Sequence, residues 1–318
     1  MRLAALLSLE TLYPVLDSLS ATFAAKGREF DGILKAGRTH MQDAVPIRLG
    51  QEFAAYGVAI GRVRESLERA ADGLRELGLG GSAVGTGLNT HPRYRALAVA
   101  ILARISGQRL VPAEDLRWAM QSNACIAEVS GVLRTLALEI IRIANDLRLL
   151  SSGPNTGLAE INLPSLQPGS SIMPGKINPV LPELAAMVAF QVVGNDATVA
   201  MAVQAGQLEL NVMMPAMAHN LLQSISLLAN TLRQLDRHCV AGITANAARC
   251  RSYAESTVAL ATALNPYIGY ATSAEVVKES IASGRTIIEI VRERKLLNEE
   301  QISEILDPLR MTGPTHSD

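Results

Sequence analysis

The stretch IAEVSGVLRTLALEIIRIANDLRLL, Ile126 to Leu150, sets the fold class. Its apolar residues Ile126, Val129, Leu133, Leu136, Ile140, Ile143, Leu147 and Leu150 recur at alternating steps of three and four. A helix brings such positions onto one stripe, and the alternation is the seam along which helices pack side by side. Arg134, Glu139, Arg142 and Asp146 fall off the stripe. A second seam runs through Ile60, Val63, Leu67, Ala70, Leu74 and Leu77. A third, weaker one runs through Leu12, Leu16, Leu19 and Phe23 and resumes at Phe30. Helices this long with so narrow a stripe need other long helices beside them. The expected class is all-α, a long-helix bundle.

Composition narrows the function. The 318 residues carry 29 basic and 30 acidic side chains, a net charge of -1. No basic excess argues for nucleic acid or an anionic membrane surface, so neither is an expected partner. Apolar residues make up 48% and aromatics 3%, a core of Ala, Leu, Ile and Val suited to close helix packing. Cys125, Cys239 and Cys250 are odd in number and lack a CxxC spacing, and they read as reduced thiols of a cytoplasmic protein. No run of 18 uninterrupted apolar residues marks a membrane helix. The first residues, MRLAALLSLETLYPVL, lack a strong basic region and a cleavage site, and their pattern continues past Pro14 as a helix start.

Further along, Glu183 to about Leu235 is helical with an interruption at Pro215, and apolar on most faces. Such a helix is buried on most faces, here by other subunits. Asn265-Pro266 and Gly269 in ALNPYIGY end the long-helix habit. Shorter segments follow, with Ser273 and Asn298 placed as N-caps. The expected organisation is a central long-helix domain, 1–255, with an active-site loop at 151–179, and a small C-terminal helical domain, 256–318.

The chemistry gathers in the loops. No Walker-type phosphate loop, HExxH motif or Cys/His cluster is present, and GLGGSAVGTG has no strand before it, so no metal or cofactor is expected. The histidines His40, His91, His219, His238 and His316 are scattered. PGSSIMPGKINP, Pro168 to Pro179, differs. Gly169 and Gly175 allow backbone amides to converge as a nest for negative charge, with Ser170 or Ser171 as the hydroxyl among them. Lys176 offers a point charge for a carboxylate, and Asn178 offers donor and acceptor together. Leu158, Ile161, Leu163, Leu166, Ile172 and Met173 are the expected apolar anchors of this loop. In GRTH, Thr39 and His40 stand at an expected helix junction, able to hold an anion or relay a proton. Glu183, just after the lysine loop, can orient a histidine.

GSSIMPGKINPV closely resembles the signature of the aspartase/fumarase superfamily. GRTHMQDAVPIRLGQEF, GTGLN, IANDLRLLSSGP, AEINLP, GNDATV, GQLELNVM and ALNPYIGY resemble further stretches of its class II fumarase and aspartase branch, in the family's order. The resemblance implies a helical bundle that assembles as a homotetramer. It implies β-elimination on a small dicarboxylate or amino-acid substrate without a redox cofactor, through an aci-carboxylate intermediate. Ser171 matches the catalytic base, Lys176, Asn178 and Ser170 the substrate binders of the loop, Thr39 and His40 a second patch, and Glu183 the partner of that histidine. LRLLSSGP, EINLP and AGQLELNVM lean toward elimination of ammonia from L-aspartate. ALNPYIGY leans toward hydration of fumarate, the alternative.

The sequence departs from the family in three places. The family's Gly-Thr-Ser and Ser-Ser/Thr-Asn-Asp stretches are absent from these residues, so the expectation is a truncated chain, of little or no activity alone. A non-catalytic helical fragment, or one subunit of a split lyase, is the third reading. Asn155 stands where the family usually has arginine, and Met214 where aspartases tend to have glutamate.

Overall fold

The structure is a computed structural model that describes residues 1–313; His316 lies outside the described residues. In chain order it comprises α1 (Arg2–Glu29), β1 (Leu34–Thr39), β2 (Gln42–Arg48), α2 (Leu49–Ala71), β3 (Glu76–Leu77), α3 (Tyr94–Ser106), β4 (Val111–Pro112), α4 (Leu116–Gln121) and α5 (Ala124–Leu150). There follow β5 (Ile161–Asn162), α6 (Val180–Gln204), α7 (Met214–His238), β6 (Thr244–Ala245), α8 (Ala247–Ser256), α9 (Asn265–Ser283), α10 (Ile287–Glu293) and α11 (Glu299–Ile305). The fold is helical, as the seams require.

The chain divides into two compact units. The first holds Met1–Thr22, Gly57–Arg148 and Pro164–Gly242. All eight seam residues of α5 are buried, none more than 4% exposed. Arg142, off the seam, pairs instead with Glu139 and Asp146 on its own helix. The α2 seam is buried too, but Leu74 and Leu77 lie beyond the helix, in a 3-10 turn and in β3. Polar bonds tie the helices of this unit together. Ser18 donates to Asp236 at 2.6 Å, and Ser20 to the Gly57 carbonyl at 2.9 Å. Buried Asp196 of α6 receives Ser130 at 2.7 Å and Arg134 at 2.9 Å from α5. Asn195 donates to Ser224 of α7 at 3.0 Å. Each bond satisfies a group that would be costly to bury alone.

The helical run after Glu183 is in fact two helices, α6 and α7. Residues 205–213 join them, and Pro215 sits in the first turn of α7, where it costs no hydrogen bond. Leu184, Met187, Phe190 and Met201 of α6 remain exposed within this chain. Among the described residues α6 is the one helix long and apolar enough to cross a membrane, by length and composition only.

The second unit holds Phe23–Tyr56, Leu149–Leu163 and Ile243–Asp318, described as far as Gly313. Phe23, Phe30, Phe53 and Tyr56 form one ring cluster with centroids 5.1–6.2 Å apart. Leu260, Leu264, Val276, Ile287, Ile290, Val291, Ile302 and Leu306 form a buried cluster under the short C-terminal helices. Asn298 caps α11 in a capping box with Gln301. Ser273 is not a cap. It lies inside α9, 4% exposed, and its hydroxyl bonds back to the carbonyl of Gly269 at 2.9 Å. The break falls at Gly269 itself, with φ 76 and ψ 159.

The segment around Pro46 is not a helix junction. It is an antiparallel hairpin, β1 against β2, with a bulge where Ala36 pairs with Pro46 and Gly37 with Ala44. Val45 is the extra residue. A Cβ on Gly37 would lie 2.5 Å from the Val45 carbonyl oxygen, so only glycine fits under the bulge.

Candidate active site

The loop Pro168–Pro179 belongs to the first unit and leads into α6. It is closed by two bonds across its neck. The Gly169 amide donates to the Lys176 carbonyl at 3.1 Å, and Asn178 Nδ2 donates to the Gly169 carbonyl at 2.7 Å. A Cβ at Gly169 would sit 2.1 Å from the Lys176 oxygen, and Gly175 holds φ +76. Both glycines are therefore conditions for this ring. Inside it the amides of Ile172 and Met173 donate to Ser170 Oγ at 3.1 and 3.0 Å. The amide nest exists, and in this conformation it is spent on Ser170. Ser171 beside it is exposed, as is Lys176.

Of the expected apolar anchors, only Ile161 is fully buried. Leu166, Ile172 and Met173 are 45%, 86% and 52% exposed, so they do not anchor the loop within this chain. The ring of backbone bonds gives it its shape. Glu183 lies in the first turn of α6, where the helix dipole favours an acid, and its amide donates to the Pro179 carbonyl at 3.0 Å. Ser170, Ser171, Lys176, Asn178 and Glu183 are thus brought together on one loop and one helix start. A cavity of about 680 Å³ elsewhere in this unit, lined by Glu76, Arg95, Arg117 and Trp118 among others, contains none of them.

Thr39 and His40 belong to the second unit, at the tip of the hairpin. His40 and Met41 are the two central residues of the turn, with φ 54 and φ 63. Positive φ at both positions is the hairpin turn that matches strand twist, usually filled by Asn-Gly. Here two residues with full side chains hold it, a strained arrangement of the kind found at functional sites. Thr39, His40 and Met41 are exposed.

A buried ionic cluster lies under this tip. Glu160, 0% exposed, receives Arg38 Nη1 at 2.9 and 3.1 Å and Lys35 Nζ at 3.1 Å. Lys35 also pairs with Glu52 of α2 at 2.8 Å. The Arg38 guanidinium lies 5.3 Å from the Tyr253 ring centre. Glu160, Lys35 and Tyr253 are absent from the sequence reading. A buried ion pair leaves no local pattern when its halves are 122 residues apart. Cys250 packs here as well, and burial, then the Glu160 carboxylate, pushes its thiol up to about 12. Among the described residues no three His, Cys, Asp or Glu side chains are grouped to hold a metal ion.

Of the two departures in sequence, Asn155 is exposed in the loop after α5, and Met214, 44% exposed, opens α7.

Residues 1–194 match the family model described as Lyase, and residues 260–313 match that described as Fumarase C C-terminus. Aspartate ammonia-lyase of Pseudomonas aeruginosa is 52% identical over 98% of this chain and 66% of its own length. Aspartate ammonia-lyase of Bacillus subtilis is 47% identical over 96% of this chain and 64% of its own length. The chain thus spans about two thirds of the length of the curated relatives it matches. Among solved structures, a fumarate lyase:delta crystallin from Brucella melitensis bound to cobalt superposes with a TM-score of 0.95 at 48% identity, covering 98% of this chain and 68% of that one. A class II fumarase from Schistosoma mansoni superposes with a TM-score of 0.92 at 35% identity, covering 99% and 69%. Seams, loop and matches converge, and the chain belongs to the lyase family that unites aspartases and fumarases.

Proposed function

We propose that this chain acts in an L-aspartate ammonia-lyase, eliminating ammonia from L-aspartate to give fumarate. The observation that carries the reading is the run of curated aspartate ammonia-lyases, 43–52% identical over nearly the whole chain. Fumarate hydration is the second reading, favoured by the likeness to the Schistosoma fumarase at 35% identity.

The loop supports a chemical division of labour. In the elimination Ser171 takes the proton from C3, the electron pair moves into the C2–C3 double bond, and ammonia leaves from C2. Before it leaves, the charge rests on the C4 carboxylate as an aci-carboxylate. Lys176 and Asn178 face that charge, and their effect is electrostatic, strongest where it develops in the transition state. Ser170 accepts two backbone amides, so its own hydroxyl hydrogen is left to donate to a substrate carboxylate oxygen. Thr39 and His40 serve as a second carboxylate patch, and Glu183 opens α6 beside the loop.

The exposed apolar residues of α6 support burial against further copies of the chain in a homotetramer. Three free, buried cysteines support a cytoplasmic location.

The test is the ultraviolet absorbance of fumarate as it forms, with L-aspartate and L-malate offered in parallel. Faster turnover of aspartate is expected. Faster turnover of malate moves the chain to the fumarase reading, and a folded chain that turns over neither leaves the third reading, a non-catalytic helical fragment or one subunit of a split lyase.

A further inference from the structure

We propose that Glu160 is a positioning residue that holds the His40 turn in place through Arg38 and Lys35. The catalytic consequence rests on the function proposed above; the positioning does not.

Glu160 is the fixed end of the arrangement. Its amide donates to the Leu150 carbonyl at 2.9 Å, and its carbonyl accepts the Asn246 amide at 2.9 Å. The Cys250 thiol reaches the same carbonyl at 3.5 Å. The backbone at Glu160 is thereby tied to the end of α5 and the start of α8. A fully buried carboxylate is tolerated only when it is paired, and here two cations of β1 pair with it.

The hairpin is the guided end. On a regular strand Lys35 and Arg38 would face opposite sides. The bulge at Val45 bends and twists the ribbon, and both long side chains reach one carboxylate. Arg38 stands two residues before His40. Its Nη1 reaches both oxygens of Glu160, and its guanidinium lies against Tyr253, with Arg249 5.1 Å from the same ring.

The tip itself has little else to hold it. The side chains of Thr39, His40 and Gln42 make no hydrogen bond to any described residue, and all three are exposed. A turn with positive φ at two non-glycine residues persists only where its surroundings over-determine it. The Glu160 cluster supplies that constraint, and it sets where His40 and Thr39 meet a substrate carboxylate.

The test is Glu160→Gln, which keeps the shape and removes the charge. Two quantities are read: steady-state kinetics with L-aspartate, and amide hydrogen exchange across the second unit. The expected result is a rise of about tenfold in KM with a smaller change in kcat, the pattern of lost binding common to ground and transition states. Exchange at His40 to Asp43 quickens while exchange in α8 does not. Unchanged KM with unchanged tip exchange overturns the proposal. So does a uniform rise in exchange across the unit, which a merely structural ion pair would give. Arg38→Lys is the second variant should Glu160→Gln fail to fold. It keeps the charge and loses the planar guanidinium against Tyr253, and it must shift KM and tip exchange in the same direction. If the tip loosens in a variant while the unaltered chain turns over no aspartate, the positioning role stands and only its catalytic consequence falls.

Discussion

The two regions that carry the candidate residues, one in each unit, are built by opposite means. The Pro168–Pro179 loop makes its own shape, closed by Gly169–Lys176 and Asn178–Gly169 bonds within twelve residues. The His40 turn is strained and bare at its tip, and it draws its order from a buried carboxylate far along the chain. A locally closed loop can move as a body without the fold changing. A turn clamped by buried charge cannot, because each displaced ion would be left unpaired in the interior.

Substitutions can break this contrast, and the largest effect is expected in the loop's chemistry. Ser171→Ala should lower kcat for aspartate by about 10²–10⁴, the usual weight of a general base. Ser171 is exposed, so its thermal unfolding should barely shift. If Ser170→Ala causes that loss and Ser171→Ala does not, the base is the amide-held serine and the assignment by resemblance is wrong.

The next effect is on stability and falls on the other region. Glu160→Ala leaves the half-buried Arg38 without its carboxylate and buried Lys35 with Glu52 alone, at a cost of about 3 kcal/mol. Gly169→Ala drives a Cβ into the Lys176 carbonyl and opens the loop ring, yet the loop is largely exposed, so global stability should change far less. Urea unfolding of the two variants compares them directly. Equal losses would mean that the loop, too, is part of the packed framework.

A smaller effect has the opposite sign. Met41 holds φ 63 with a side chain, and left-handed backbone costs about 1–2 kcal/mol for such a residue. Met41→Gly should stabilise the second unit by about 0.5–1 kcal/mol, after the extra freedom of glycine in the unfolded chain is subtracted. A loss of stability would show that the turn is not strained.

The smallest effect concerns Cys250, whose thiol rises from 9.0 to about 12, through burial first and the Glu160 carboxylate second. The folded state keeps its proton while the unfolded state gives it up. The stability contributed is therefore fully present below pH 9.0 and is lost as pH rises toward about 12. Glu160→Gln removes the second cause, so thiol labelling of the native protein at alkaline pH should quicken modestly. Unchanged labelling would place the carboxylate's charge out of reach of the thiol.

The sequence was most legible where structure is local. Every residue of the 3-4 seam of α5 is buried, because helical packing repeats within a few residues, although the seam leaves out the equally buried Ser130, Ala137 and Ala144. The glycines, serines and Asn178 of the loop announced a turn with converging amides, and their bonds all close within it. It was least legible where shape comes from afar. Nothing around Thr39 and His40 distinguishes a hairpin from a helix junction, since its bulge depends on Gly37 under Val45 and its anchor on Glu160. Ser273 looked like a helix cap for the same reason: the helix had already begun at Asn265, and the glycine break shifted the hydroxyl's partner to Gly269. Ile172 and Met173 looked like anchors because they are apolar, and within this chain nothing covers them.

The measurement that bears most directly on the account is initial-rate formation of fumarate by the unaltered chain and by Ser171→Ala, with L-aspartate and L-malate compared at equal concentration. The account predicts that whatever turnover the chain shows favours aspartate and nearly vanishes in the variant. Turnover that favours malate, or that survives the loss of Ser171, would contradict it.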